Sequence, residues 1–450
     1  MLGLRPRSTS GFAKFTFKKR VLFLSGFLLI FLAGYVAIAF EQSLQVNKAA
    51  IALITGVLCW TIYICVANDT LAVSEKLAQG FGDIAAILFF LLGAMTIVEL
   101  IDAHNGFDII STIISTKSKS RLLFLIAIIT FFLSSLLDNL TTAIVMTTLC
   151  IKLLPQKEDR FWFSGAIIIT ANLGGAWSPM GDVTTTMLWI GGQVTASNIM
   201  LTLFIPCLVG AIIPVWIISK KFKGKILDVL PAIELSLIEK REGKIILFSG
   251  IGLLLFVPLF KSITHLPPFM GMLLALGLMW LLTTVIHKNK YEAHKNKFTV
   301  SSALQKIDSP SILFFLGILL AVNALQASGI LHNLANFLNN SFKNDYLIGS
   351  VLGLASSVLD NVPLVAAAQG MYDLSTYPPD HHFWEFLSLT TGSGGSALII
   401  GSAAGVAVMG IEKIDFIWYL KKITWIALLG FFIAIGVFLM QQYFVFYHYN

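Results

Sequence analysis

The hexapeptide Ser134-Ser135-Leu136-Leu137-Asp138-Asn139 returns 222 residues further along as Ser356-Ser357-Val358-Leu359-Asp360-Asn361. Each copy sets a carboxylate and an amide inside a long apolar run. An ionised Asp in hydrocarbon costs several kcal/mol, so it faces protein or a water-filled cavity and is seldom kept without a task. A chain that carries this pattern twice, half its length apart, folds into two related halves that each shelter a polar break.

The rest of the chain is apolar enough to need a membrane. Of 450 residues, 56% are hydrophobic and 12% charged, and mean hydropathy is +0.83. These values exclude an ordinary soluble domain. The 35 glycines suit close approach of membrane helices. The net charge of +7 is no nucleic-acid signal, because Lys and Arg lie in short loops between apolar segments. Cys59, Cys65, Cys150 and Cys207 lie in apolar segments without metal-ligand spacing and read as small core residues. His381-His382 is the one adjacent histidine pair, and no metal site is expected there.

Spanning lengths are expected at 21–40, 49–67, 84–103, 198–219, 244–260, 266–286, 311–326 and 416–440. Four further apolar regions are interrupted. Residues 121–154 break at Asp138-Asn139 and 161–190 at Ser178–Asp182. Residues 346–372 break at Asp360-Asn361 and Pro363, and 383–410 at Thr391–Ser396. Irregular backbone at membrane depth persists only where protein or a wet cavity satisfies it. Paired breaks in corresponding halves point to a transport site. The halves also align at Ile87–Leu91 with Ile312–Leu316, at Phe161-Trp162 with Phe383-Trp384, and at Gly174-Gly175 with Gly394-Gly395. Four segments follow: 1–83, a tail with the first membrane helices; 84–219, repeat 1; 220–310, basic loops with two membrane helices; and 311–450, repeat 2.

The Lys-rich loops 220–225, 240–244 and 287–306 read as cytoplasmic, and 373–380, with Asp373 and Asp380 but no Lys or Arg, as external. The basic tail around Arg5, Arg7, Lys14 and Lys18–Arg20 conflicts with this if 121–154 is a hairpin, because the tail then falls outside. A translocated tail, a partial early segment, or a single crossing by 121–154 would each resolve it. Ala37-Ile38-Ala39 resembles a signal-peptidase site, although retention is the favoured reading.

The two Ser-Ser-x-x-Asp-Asn copies, Ala171-Asn172-Leu173-Gly174-Gly175 and Ser178-Pro179-Met180-Gly181-Asp182-Val183-Thr184-Thr185-Thr186-Met187 together resemble the NhaD-type sodium/proton antiporters of the ion transporter superfamily. The likeness covers about 49–443. It implies an all-α polytopic protein of the cell inner membrane with two inverted-topology repeats, each holding a re-entrant hairpin (121–154, 346–372) and a discontinuous transmembrane helix (161–190, 383–410). It also implies a homodimer. Repeat 2 departs from repeat 1, because Asp182 is matched by Ser402 and the Thr run is lost, so an asymmetric site is expected.

A carboxylate serves exchange because it holds either a proton or a hard cation. Asp138 and Asp360 are therefore the expected Na+ (or Li+) and H+ ligands, with Asp182 beside them. Hard cations also need neutral oxygens. Ser134, Asn139, Thr141, Asn172, Thr184 and Thr185 are candidates in repeat 1, and Ser356, Asn361, Ser393 and Ser396 in repeat 2. Capping a helix break is the alternative task for the three aspartates, and the two tasks are compatible. Asn172 has interhelical bonding as its alternative. Glu99, near a span end, is a candidate for pH sensing or an interfacial residue. No cofactor beyond the transported ions and no nucleic-acid partner are expected, and the lipid bilayer is the surrounding partner. The expectation is a secondary transporter and not an enzyme: Na+/H+ exchange, or a same-fold Na+-coupled carrier of arsenite or a carboxylate. An intramembrane aspartyl protease is disfavoured, because Gly181-Asp182 lacks the first Gly of Gly-x-Gly-Asp and Tyr372-Asp373 follows it in the wrong order. Paired repeats argue against a channel.

Overall fold

The computed structural model describes residues 26–38, 41–67, 69–108, 116–226, 237–288 and 298–449. The tail before residue 26 and Ala39, on which tail sidedness and cleavage turn, lie outside these residues. Its main elements, in chain order, are α1 (Lys48–Val66), α2 (Thr70–Ala103), α3 (Lys119–Leu137), α4 (Asn139–Leu153), α5 (Lys157–Ala176), α6 (Val183–Ile190), α7 (Ala196–Ser219), α8 (Leu237–Thr264) and α9 (Pro268–Ile286). They continue as α10 (Val300–Lys306), α11 (Ser309–Ala327), α12 (Ile330–Phe342), α13 (Asp345–Ala355), α14 (Asn361–Met371), α15 (His382–Gly394), α16 (Ala403–Glu412), α17 (Phe416–Lys422) and α18 (Thr424–Tyr449). Among the described residues the one β contact is an isolated bridge between Ser118 and Ile226. Among the described residues eight helices are long and apolar enough to span a bilayer: α1, α2, α3, α7, α8, α9, α11 and α18. The chain is a multi-pass membrane protein.

Several boundaries differ from the sequence expectation. The span expected at 84–103 belongs to the 34-residue α2. Ser74, Glu75, Lys76, Gln79 and Asp83 hide its first half from a hydropathy reading, and all five are exposed. The single span expected at 416–440 is divided at Ile423, between α17 and α18, after Lys421 and Lys422. In the last broken region α15 runs through the expected break and ends at Gly394. The Thr391 and Ser393 hydroxyls donate inside the helix, to Leu387 O and Leu389 O, and the break falls at 395–402. Of the four cysteines, Cys59, Cys150 and Cys207 are buried as expected, and Cys65 is exposed.

The chain divides into two compact units. One comprises residues up to 85 with 309–335, the other 86–308 with 336–450. In the first, α1 packs on α11 through facing small residues. A Cβ at Gly56 would strike Gly317 O, while Trp60 Nε1 donates to Leu320 O at 3.0 Å and Tyr63 OH to Ala327 O at 2.8 Å.

The second unit is built around α5 and α15, buried from Trp162 to Ala176 and from Phe383 to Gly394. Two groups of helix ends organise it. In one, Lys119 Nζ lies 2.7 Å from Asp159, Arg160 Nε donates to Glu412 at 2.9 Å, Arg160 Nη1 donates to Leu154 O and Pro155 O, and Lys119 N donates to Lys225 O. The starts of α3 and α5 thereby meet the ends of α4 and α16 and the loop after α7. In the other, Thr195 N donates to Asp380 at 2.6 Å, Tyr377 OH to Asp345 at 2.6 Å and Tyr372 OH to Asn339 at 2.9 Å. This group gathers the starts of α7, α13 and α15 and the end of α14.

The duplication recurs as contacts. Ser134 Oγ donates to Ala171 O at 2.6 Å, and Ser356 Oγ to Thr391 O at 2.9 Å. A Cβ at Gly174 would strike Phe131 O, and one at Gly394 would strike Gly353 O. Partners stay 220 or 222 residues apart, so each interrupted pair of helices packs on the next by one pattern.

Candidate functional site

Four helix breaks meet in the second unit. The first is a single residue. Asp138 alone separates α3 from α4, with φ 88° and ψ 158°, backbone that non-glycine residues rarely adopt. Its carboxylate caps α4, accepting from Thr141 N at 2.7 Å and from Thr141 Oγ1 at 2.8 Å. The corresponding break in repeat 2 is longer, Ser356–Asp360, and Asp360 caps α14 from ordinary backbone by accepting from Val362 N at 3.2 Å. Pro363 sits in the first turn of α14, where its missing N–H costs nothing.

Asp182 is the centre of the arrangement. It is 1% exposed and caps α6, taking Thr184 N and Thr184 Oγ1, each at 2.9 Å, on one oxygen. Asn139 Nδ2 donates to the other oxygen at 2.7 Å, and Asn361 Nδ2 donates to it at 3.3 Å. Both Asp-Asn pairs of the duplicated hexapeptide therefore reach one carboxylate. Asn139 also donates to Asn172 Oδ1 at 3.0 Å, and Asn172 Nδ2 donates to Ser396 Oγ at 2.9 Å and Ser402 Oγ at 3.0 Å. Asp138 and Asp360 both lie within electrostatic reach of Asp182.

Every hydrogen-bond donor to Asp182 among the described residues is neutral. A buried carboxylate without a cationic partner carries an uncompensated desolvation cost, which a proton or a bound cation removes. The two amides, Thr184 and the break carbonyls supply the hard oxygens such a cation takes.

The other expected residues have definite places. Thr185 Oγ1 meets Ser388 Oγ at 3.0 Å. Ser134 and Ser356 spend their protons on backbone carbonyls, tying the breaks to α5 and α15, and Ser393 donates within its own helix. Glu99 stands apart from the network. It faces a cavity of about 240 Å³ also lined by Asp102, Lys306 and Asp308, with Lys306 Nζ at 3.2 Å. That cavity ends on Leu140 and Thr141, the residue that holds Asp138. Two network members were not among the candidates. Ser402 was legible as the residue aligned with Asp182. Ser388 had no signal, being one hydroxyl in an apolar helix.

A family described as "Citrate transporter" matches residues 35–392. "Sodium/proton antiporter 1" of Arabidopsis thaliana is 46% identical over 91% of this chain and 71% of its own length. "Sodium/proton antiporter 2" of the same plant is also 46% identical, over 90% of this chain and 96% of its own. "Na(+)/H(+) antiporter NhaD" of Vibrio cholerae is 30% identical over 92% and 91%.

Proposed function

This chain belongs to the NhaD-type sodium/proton antiporters, and from that premise we propose that it exchanges Na+ (or Li+) for H+ across the cell inner membrane. One observation carries the reading: the buried Asp182 carboxylate is clasped by Asn139 and Asn361, one from each half, beside Asp138 and Asp360. Na+ and H+ compete for these carboxylates. When protonated, the site has no charge to attract Na+; when ionised, it takes a hard cation into the ring of amide and hydroxyl oxygens. Three helix N-termini, those of α4, α6 and α14, meet the site through their Asp caps, and a carboxylate that holds either a proton or a cation couples cation entry to proton release.

Inverted repeats and re-entrant hairpins fit this reading. The ends of α3–α4 come together at Lys119, Leu154 and Asp159, and the ends of α13–α14 at Asp345, Tyr372 and Tyr377. Helix α7, 24 residues long and so about 36 Å, runs from the second of these groups to the first. In this reading the two hairpins enter from opposite faces and meet at Asp182, and the hairpin-bearing part moves rigidly against a scaffold, exposing the site to either side in turn. A homodimer is part of the proposal, on the resemblance alone. The competing reading, an anion carrier, rests on the description of the matching family. Against it, the hydrogen-bonded network among the described residues holds Asp, Asn, Ser and Thr and no Lys or Arg.

The test is Na+-induced dequenching of a pH dye in inverted vesicles. Wild type should respond, and Asp138→Asn, Asp182→Asn and Asp360→Asn should each lose the response by about 100-fold or more. A well-expressed wild type that moves no protons on Na+ addition sinks the proposal and moves the search to anions.

A further inference from the structure

Glu385 is a buried acid that the exchange site leaves unused. It sits in the first turn of α15, 3% exposed, and the Asn198 amide at the start of α7 donates to it. Facing it are Asp380, which accepts from Thr195 before α7, and, from α13, Tyr346, beside which stands Asp345. His382 lies 3.6 Å from Asp345, Tyr377 stacks on Phe383 while Tyr372 meets it edge-on, and Phe438 of α18 packs on Phe386. Among the described residues no Lys or Arg pairs with its carboxylate. Packing does not require an acid here. Phe161-Trp162 aligns with Phe383-Trp384, which sets Phe163 of repeat 1 against Glu385, and Phe163 is fully buried.

One turn along the same face of α15 stands Ser388. Its hydroxyl meets Thr185 Oγ1 at 3.0 Å and donates to Ala176 O at 3.1 Å. Thr185 follows Thr184, whose N–H and hydroxyl hold Asp182. Glu385, Ser388, Thr185 and Thr184 thus follow one another from the helix end beside Asp380 to the central carboxylate, with one hydroxyl–hydroxyl contact among them.

We propose that Glu385 is the proton-relay residue for the Asp380 end of the site, passing protons along the Ser388–Thr185 hydroxyl pair towards Asp182. The inference rests on the antiport reading. In one passage the Glu385 carboxylic acid gives up its proton, each hydroxyl and intervening water accepts one and releases one, and Asp182 receives one. Glu385 is left as a carboxylate that solvent reprotonates, and no other bond changes. Na+ leaves the site as the proton arrives.

The experiment compares two rates in proteoliposomes of the full chain: Na+/Na+ counterflow at equal pH, which needs no proton, and Na+-driven proton movement across a pH series. In Glu385→Gln, whose amide still meets Asn198, proton movement relative to counterflow should fall by about tenfold or more, with a displaced pH profile. Glu385→Asp should restore it in part, and Ser388→Ala should shift the ratio as Glu385→Gln does. A Glu385→Gln protein with the wild-type ratio and profile overturns the relay, whatever its melting temperature, and leaves Glu385 as a clamp between α7 and α15. If Glu385→Gln does not fold, a wild-type ratio in Ser388→Ala overturns it equally. Absence of counterflow in wild type overturns the antiport reading and the relay with it.

Discussion

At the scale of the residue, Asp138 holds an unusual position. Its backbone, at φ 88° and ψ 158°, lies in a region that costs about 1–3 kcal/mol for a residue with a side chain. The chain tolerates this because a one-residue break brings a carboxylate and the α4 N-terminus to the same point. Glycine would relieve the strain and, at an N-cap, give up only about a few tenths of a kcal/mol. Asp138→Gly should therefore melt at or above the wild-type temperature while losing Na+-dependent exchange. A variant that melts far below wild type would mean that the cap outweighs the backbone strain. Asp360 sits in ordinary backbone, so Asp360→Gly carries no such gain.

At the scale of the element, the breaks are held by close backbone approach. Gly394 lies against Gly353 O and Gly174 against Phe131 O, so an added Cβ meets backbone, which has no rotamer to give way. Gly394→Ala should destabilise by about 1–3 kcal/mol and lower the melting temperature of the purified protein. Gly277, in α9 with open space where a Cβ would stand, is the contrast. Gly277→Ala should leave stability unchanged or raise it by about 0.5–1 kcal/mol. Equal effects at the two sites would contradict the close-approach account. The position of these breaks was partly legible. Ser178-Pro179-Met180-Gly181-Asp182 marks the first discontinuity because Pro and Gly oppose helix. The second was expected four to six residues early, because Gly392–Ser396 looks helix-breaking while its hydroxyls bond helical carbonyls.

At the scale of the whole molecule, an acidic and a basic loop adjoin opposite ends of one helix. Acidic loop 373–380 joins the start of α7 through Asp380 and Thr195, and Lys220–Lys225 follows its end. In a variant without Cys59, Cys65, Cys150 and Cys207, a membrane-impermeant maleimide should label Ser375→Cys from one face of sealed vesicles and Lys223→Cys only from the other. Labelling of both from one face would refute the crossing. The sequence by itself determined the membrane class, the two halves and the residue types of the site, because hydropathy, duplication and a charge in hydrocarbon are properties of the chain read in order. Asp138, Asn139, Asn172, Asp182, Asn361 and Ser396 were all named from motif and alignment. Tertiary structure alone decided that Asp182 stands at the centre, that Asn172 bridges to Ser402, and that Glu99 lines a cavity reaching Thr141 instead of joining the hydrogen-bonded network. The first two depend on residues 179 and 230 apart in sequence coming within hydrogen-bond range. No periodicity or local preference records which two breaks will face each other, since that is settled only by how buried helices share volume.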